Sequence, residues 1–328
     1  MAMRKRIVHY VLPEPERVTI KRLPCELHIL GTDYIGTYTF ACGNVVPMYE
    51  AKTMYGLTQL LGNAKFINRE YGSVLYRGEN ELHDNLKPSL LRKSKNNYAT
   101  NVHRLNEIKN RYINDKEFAN FVKIPDIKST HHFEGMFQHY GIKTRFLDLV
   151  DNHWVALWMG LYKCDSFKSG KKFFYHYEKR TAEFIDYIED KKSSPKDPQP
   201  ECYQYIYLVA VPRMRSNQYG VYSNKDFILL DLRQALPSTC LRPHVQHAWV
   251  VRKNVTVDST PKDYDMATEV VGVIKIRIDR AANWLGDGEL LTQQNMFPNQ
   301  AYDRGYDLLL RTEEDFLSDT DNHILRYI

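Results

Sequence analysis

The stretch Val74-Leu75-Tyr76-Arg77-Gly78-Glu79 organises the reading of this chain. Three residues of strand-forming type run into an arginine, a glycine and a glutamate. Just upstream, Leu57, Leu60, Leu61, Ala64 and Ile67 recur at steps of three and four, the apolar stripe of a helix that begins near Met54. Gly72 ends that helix and the strand follows. By itself Arg77 is accounted for by an ion pair with Glu79 at a strand end. Equally, an arginine fork beside a glycine, where only backbone can approach, suits a pyrophosphate or a carboxylate.

Before this strand, residues 1–50 show β-rich runs (Val18–Ile20, His28–Leu30, Tyr34–Phe40) punctuated by Pro24, Gly31-Thr32-Asp33 and Gly43-Asn44. They read as a separate N-terminal β-rich arm or as strands added to a main sheet. After it, helices are expected over about Asn101–Val122 and Ser129–Tyr140, the second stopped by Gly141. A third, Trp154–Tyr162, is capped by Asp151-Asn152-His153. The polar stretch Glu189–Glu201 reads as an exposed loop. Beyond it the pattern becomes β, in Tyr205–Val211, Asp226–Leu230, Ala248–Arg252 and Val270–Ile278. Two helices, Asp279–Asn295 and Tyr302–Thr312, close the chain. Helices grouped ahead of strands predict an α+β fold. Its mixed, mainly antiparallel sheet would lie in the C-terminal half, with helices packed from the N-terminal half.

Composition narrows the function classes. The formal charge is +5, and the basic clusters are interrupted by acids or turn residues, so no dense cationic face for nucleic acid is apparent. Five scattered cysteines in no metal-ligand spacing read as reduced thiols. No window is apolar enough for a membrane span, and Pro13-Glu14-Pro15-Glu16 interrupts any signal-like core after Arg4-Lys5-Arg6, so a cytoplasmic location is expected. The 23 tyrosines could wall a pocket or simply fill half-buried strand positions. A metal hydrolase using His131, His132 and His139 with Asp148 is disfavoured, because adjacent histidines point apart on a helix; no metal is expected. No nucleophile elbow, P-loop or dinucleotide fingerprint is present.

Three further segments carry information: Leu86-Lys87-Pro88-Ser89-Leu90-Leu91-Arg92, the block Phe137-Gln138-His139-Tyr140-Gly141-Ile142-Lys143-Thr144-Arg145-Phe146-Leu147-Asp148, and Arg242-Pro243-His244-Val245-Gln246-His247-Ala248-Trp249. In this order, with Tyr76-Arg77-Gly78 and Met296-Phe297-Pro298, they resemble the FRG domain, named for its aromatic-Arg-Gly motif. The chain departs from that pattern at Leu149-Val150, where the family usually has Trp-Thr, and at Ala248, where it has glycine. The resemblance implies an FRG domain over residues 51–315, between the arm and a C-terminal tail at 316–328. It also points to a bacterial or phage-associated setting, with toxicity or phage defence as the associated role.

The FRG layout is in turn similar to that of ADP-ribosyltransferases, which implies an ADP-ribosyltransferase-like sheet and NAD as the substrate. On that resemblance Tyr76, Arg77 and Gly78 form the first element, with Arg77 on the pyrophosphate and the Gly78 backbone on the nicotinamide amide. Tyr140 or Trp154 would stack on the ring. His139 and Arg145 are further polar or anion-binding candidates, and Gln246 stands where an acidic residue is usual. Glutamine can hydrogen-bond ribose but cannot offset a developing positive charge, so Glu79 or Asp148 would supply the carboxylate. The alternative is a non-enzymatic module that uses Arg77, Arg145 and His139 to recognise a phosphorylated ligand, a nucleic acid or a protein partner.

Overall fold

In the computed structural model, the residues described are 18–92, 98–122, 131–170, 172–181, 202–256, 259–260, 262–316, 324 and 326–327. The expected loop at Glu189–Glu201 and the basic cluster near residue 5 lie outside them. Ten strands form one sheet: β1 (Thr32–Thr39), β2 (Val45–Ala51), β3 (Gly72–Glu79), β4 (Leu147–Val150), β7 (Tyr203–Pro212), β8 (Arg215–Gln218), β9 (Val221–Ser223), β10 (Phe227–Asp231), β11 (Ala248–Lys253) and β12 (Val270–Arg277). Their order is β1-β2-β12-β7-β3-β4-β11-β10-β9-β8. The β2–β12 ladder is parallel and the other ladders of this sheet are antiparallel. A smaller sheet joins β5 (Tyr162–Ser169) and β6 (Lys172–Lys179) to β13 (Arg326–Tyr327).

The α+β class and the mainly antiparallel sheet stand, but the expected division between halves does not. β3, from the N-terminal half, lies in the middle of the sheet beside β7, and β2, which carries β1 on its other edge, pairs with β12. Of the early runs, Tyr34–Phe40 falls largely within β1, while Val18–Ile20 and His28–Leu30 are irregular. The β5–β6 hairpin is an addition that the helical and apolar patterns do not announce.

β7 shows why the sheet is buried on both faces. Ile206, Leu208 and Ala210 enter one core, which also holds Val74, Tyr76 and much of helices Met54–Ile67 and His153–Leu161. The alternate residues Tyr207, Val209 and Val211 enter a second core with Leu75, Leu147, Leu149 and Val251. A third cluster packs helices Tyr98–Asn114, His131–Tyr140 and Arg304–Phe316 against the β10–β11 region. Helix caps follow the sequence: Thr53 accepts the Gly56 amide and Asn152 the Trp154 amide. Among the described residues no helix is long and apolar enough to cross a membrane.

One contact fixes the strand against its helix. On β3, Tyr76 and Gly78 face the helix His153–Leu161, and a Cβ at Gly78 would stand 1.8 Å from the Ala156 carbonyl oxygen. Glycine at this position is thus required by close backbone packing. Gly78→Ala is expected to destabilise the protein by about 3 kcal/mol or more; urea denaturation followed by circular dichroism measures it, and a change below ~1 kcal/mol would contradict this packing account.

Candidate functional site

β3 and β4 are paired at one position, Tyr76 opposite Val150. Beyond that bridge Arg77 spans the junction, donating from Nη1 to the Asp148 carbonyl at 2.9 Å. A cleft of about 300 Å³ opens here, lined among others by Arg77, Glu79, His139, Asp148 and Gln246. Its volume is at the lower end of small-molecule sites.

Arg77 is not a free anion clamp. Its Nε donates to Glu79 Oε1 at 2.5 Å, and the Glu79 Oε2 lies 3.5 Å from His83 Nε2. Burial alone would raise the Glu79 carboxyl, but the Arg77 guanidinium and His83 outweigh it and hold the group at about 2. His83 is raised in turn, first by its hydrogen bond to Glu79.

Asp148 is the more available carboxylate, with its side chain 39% exposed. Gln138 Nε2 donates to its Oδ2 at 2.7 Å, and His139 Nε2 stands 3.5 Å from its Oδ1. Both residues come from the last turn of helix His131–Tyr140, just ahead of Gly141, whose φ of 104° reverses the chain toward β4. Gln138 is itself oriented, its Oε1 accepting from Thr144 Oγ1 at 2.5 Å. Burial pushes the His139 imidazole below its ordinary value, which Asp148 opposes. The His139 Nε2 and the Asp148 Oδ1 are buried side by side without a hydrogen bond between them. Arg242, fully buried, donates from Nη1 to the His139 carbonyl at 2.9 Å and lies within 4.6–5.4 Å of the Tyr140, Tyr306, Tyr327 and Phe297 rings.

The other wall is aromatic. Phe297, Tyr177 and Tyr327 form a mutually stacked trio, with centroids 4.6 Å (Phe297–Tyr177), 4.3 Å (Phe297–Tyr327) and 5.9 Å (Tyr177–Tyr327) apart, and all three line the cleft. Gln246 ends the short helix Leu241–Val245 and donates from Nε2 to the Met296 carbonyl at 2.7 Å, tying that segment to Phe297.

The structure thus gathers Tyr76, Arg77, Gly78, Glu79, His139, Asp148 and Gln246 around one cleft, and leaves Tyr140, Arg145 and Trp154 out of its lining. Tyr140 is fully buried and donates its hydroxyl to Asp303 at 2.7 Å. Trp154 lies at the start of its helix, packed on the core and beside His153. Arg145 is taken by buried Glu134, from Nη2 at 2.5 Å and Nε at 2.9 Å. These three side chains are engaged elsewhere by packing or pairing. Sequence reading overlooked Tyr177 and Tyr327 as site residues, whereas Gln138 and Phe297 sat inside quoted segments with no assigned role. The β-favouring aromatic run Phe173–Tyr177 was the available signal for Tyr177. Of the two departures from the FRG pattern, Leu149-Val150 is buried and lines the cleft, and Ala248 is buried opposite Val150. Separately, Asp165, His176 and Glu178 on the β5–β6 hairpin bring ligand-type atoms within 4.8 Å of one another.

Residues 72–169 match the family model of the FRG domain, which supports the FRG family for this part of the chain. No curated protein and no solved structure matches the chain.

A carboxyl depressed in the folded state adds stability above its ordinary value near 4.5 and loses it as pH falls toward 2. Glu79→Gln is therefore expected to lower stability at neutral pH and to flatten the loss over that acid window, as read from urea midpoints across pH. Glu134→Gln breaks the ion pair between fully buried Glu134 and half-buried Arg145 and is expected to cost about 3 kcal/mol in the same assay.

Proposed function

We propose that this cleft binds NAD or a related nucleotide by its nicotinamide-riboside end, and that Asp148 supports cleavage of the glycosidic bond in an ADP-ribosyltransferase or NAD glycohydrolase reaction. The observation that carries the reading is the convergence of an accessible carboxylate, a buried imidazole and an aromatic wall at one opening in the sheet. Nicotinamide attached to ribose is cationic, and its departure leaves an oxocarbenium-like sugar; both favour a carboxylate, and both suit a small cleft more than a cationic phosphate clamp would.

In this reading Arg77 serves differently from its expected role. Neutralised by Glu79, it braces the Asp148 backbone rather than gripping the pyrophosphate. Gln138 orients the Asp148 carboxylate toward the ribose, with the His139 imidazole beside it. The Tyr177, Phe297 and Tyr327 surface offers a face for the ring. Gly78 is occupied by packing against Ala156, so the amide-binding role expected of it has no support from its surroundings.

The test is calorimetric titration with NAD and ADP-ribose together with chromatographic assay of nicotinamide release. Binding and release are expected, with Asp148→Asn lowering turnover on the order of 100-fold while binding persists. Binding without release would favour the non-enzymatic module. Absence of both would overturn the reading.

A further inference from the structure

The β5–β6 hairpin presents two different faces. Its antiparallel register sets Asp165 directly opposite His176 and Lys163 opposite Glu178. Side chains opposite one another share a face of a ladder, and so do residues two apart along a strand. Asp165, His176 and Glu178 therefore project from one face. Each offers one ligand atom, and the three atoms lie within 4.8 Å of one another; Asp165 and His176 are half-buried and Glu178 is exposed. The Cys164–Tyr177 pair lies between those two rungs and projects from the other face, where both residues line the cleft.

The donor set is that of a metal centre rather than of a solvated acidic patch. Two carboxylate oxygens supply negative charge, and the imidazole nitrogen supplies a donor that Mg²⁺ and Ca²⁺, with their preference for oxygen, do not seek. The set suits a divalent transition-metal ion, with water completing the coordination. Ligand atoms on a tetrahedral zinc stand about 3.5 Å apart, so the widest separation here would close by at most roughly 1.3 Å. Rotation of two acidic side chains that reach solvent accomplishes that. The His176 Nδ1 is enclosed and makes no hydrogen bond among the described residues, so that ring nitrogen is not committed to any of them. The competing cation is Lys163, whose Nζ lies 3.7 Å from Asp165 Oδ1 on a side chain 62% exposed. So exposed an ion pair contributes little, and a doubly charged ion displaces it.

We propose that Asp165, His176 and Glu178 bind a divalent transition-metal ion, zinc ahead of manganese, on the face of the hairpin opposite the cleft. With one ligand on β5 and two on β6, the ion ties the strands together across the rung that carries Cys164 and Tyr177. It braces the Tyr177 part of the aromatic wall from behind and stands apart from the polar side at Asp148. The site is independent of the nucleotide reading of the cleft.

The full chain, stripped of metal with a chelator, would be titrated calorimetrically with zinc chloride, and separately with manganese and magnesium chloride. Saturable zinc binding, weaker manganese binding and no saturable magnesium heat are expected. Zinc should also raise the melting temperature by a few degrees. His176→Gln and Asp165→Asn should each weaken zinc binding at least tenfold, while Lys163→Met, which removes the competing cation, should leave it intact or tighter. These side chains all reach solvent, so the variants are expected to melt with the metal-free wild type; should one ligand variant fail to fold, the other still decides. No saturable zinc heat with wild-type protein, magnesium binding as tight as zinc, zinc binding unchanged in both ligand variants, or its loss in Lys163→Met would overturn the assignment.

Discussion

The site depends on how two strands meet. β3 and β4 share one bridge, Tyr76 opposite Val150, and Arg77 reaches across the junction to the Asp148 carbonyl. A continuous ladder here would leave no opening at the middle of the sheet. Without Arg77, the Asp148 end of β4 would lose the hydrogen bond that holds it beside β3. The guanidinium can make this span because Glu79, two residues on and hence on the same face, compensates its charge. Gly78, on the opposite face, lets helix His153–Leu161 close against the strand from behind.

From that junction the chemistry follows by orientation. Thr144 positions Gln138, and Gln138 positions the Asp148 carboxylate, while Arg242 holds the carbonyl of His139. Each link uses a side chain from a different segment, so the carboxylate is set by a network rather than by one neighbour. The aromatic wall is fastened separately, through Gln246 on the Met296 carbonyl and through the mutual stacking of Phe297, Tyr177 and Tyr327. The result is a cleft with one hydrogen-bonded polar side and one aromatic side.

Helix His131–Tyr140 connects this cleft to the Glu134–Arg145 ion pair. Arg145 belongs to the same quoted block as His139 and Asp148, yet it is held by Glu134 instead of lining the cleft. Segments close in sequence were thus divided between two environments by the reversal at Gly141.

What the residues determined by themselves was local. The 3.6-residue spacing of Leu57, Leu60, Leu61 and Ala64 marked a helix observed at Met54–Ile67, and the Asn152 cap marked the start of another. The β-branched runs late in the chain became β7, β11 and β12, because propensity, apolar pattern and caps act within a few residues. The motif segments also identified most of the polar cleft side chains before their positions were known. Tertiary structure alone decided the rest. It decided that β3 is a middle strand, that Gly78 serves packing, and that Arg77 is spent on Glu79 while Arg145 goes to Glu134. It also brought Tyr177 and Tyr327 to a wall shared with Phe297. Pairing of charges and stacking of rings depend on distances between segments far apart in the chain, and spacing along the sequence does not encode those distances.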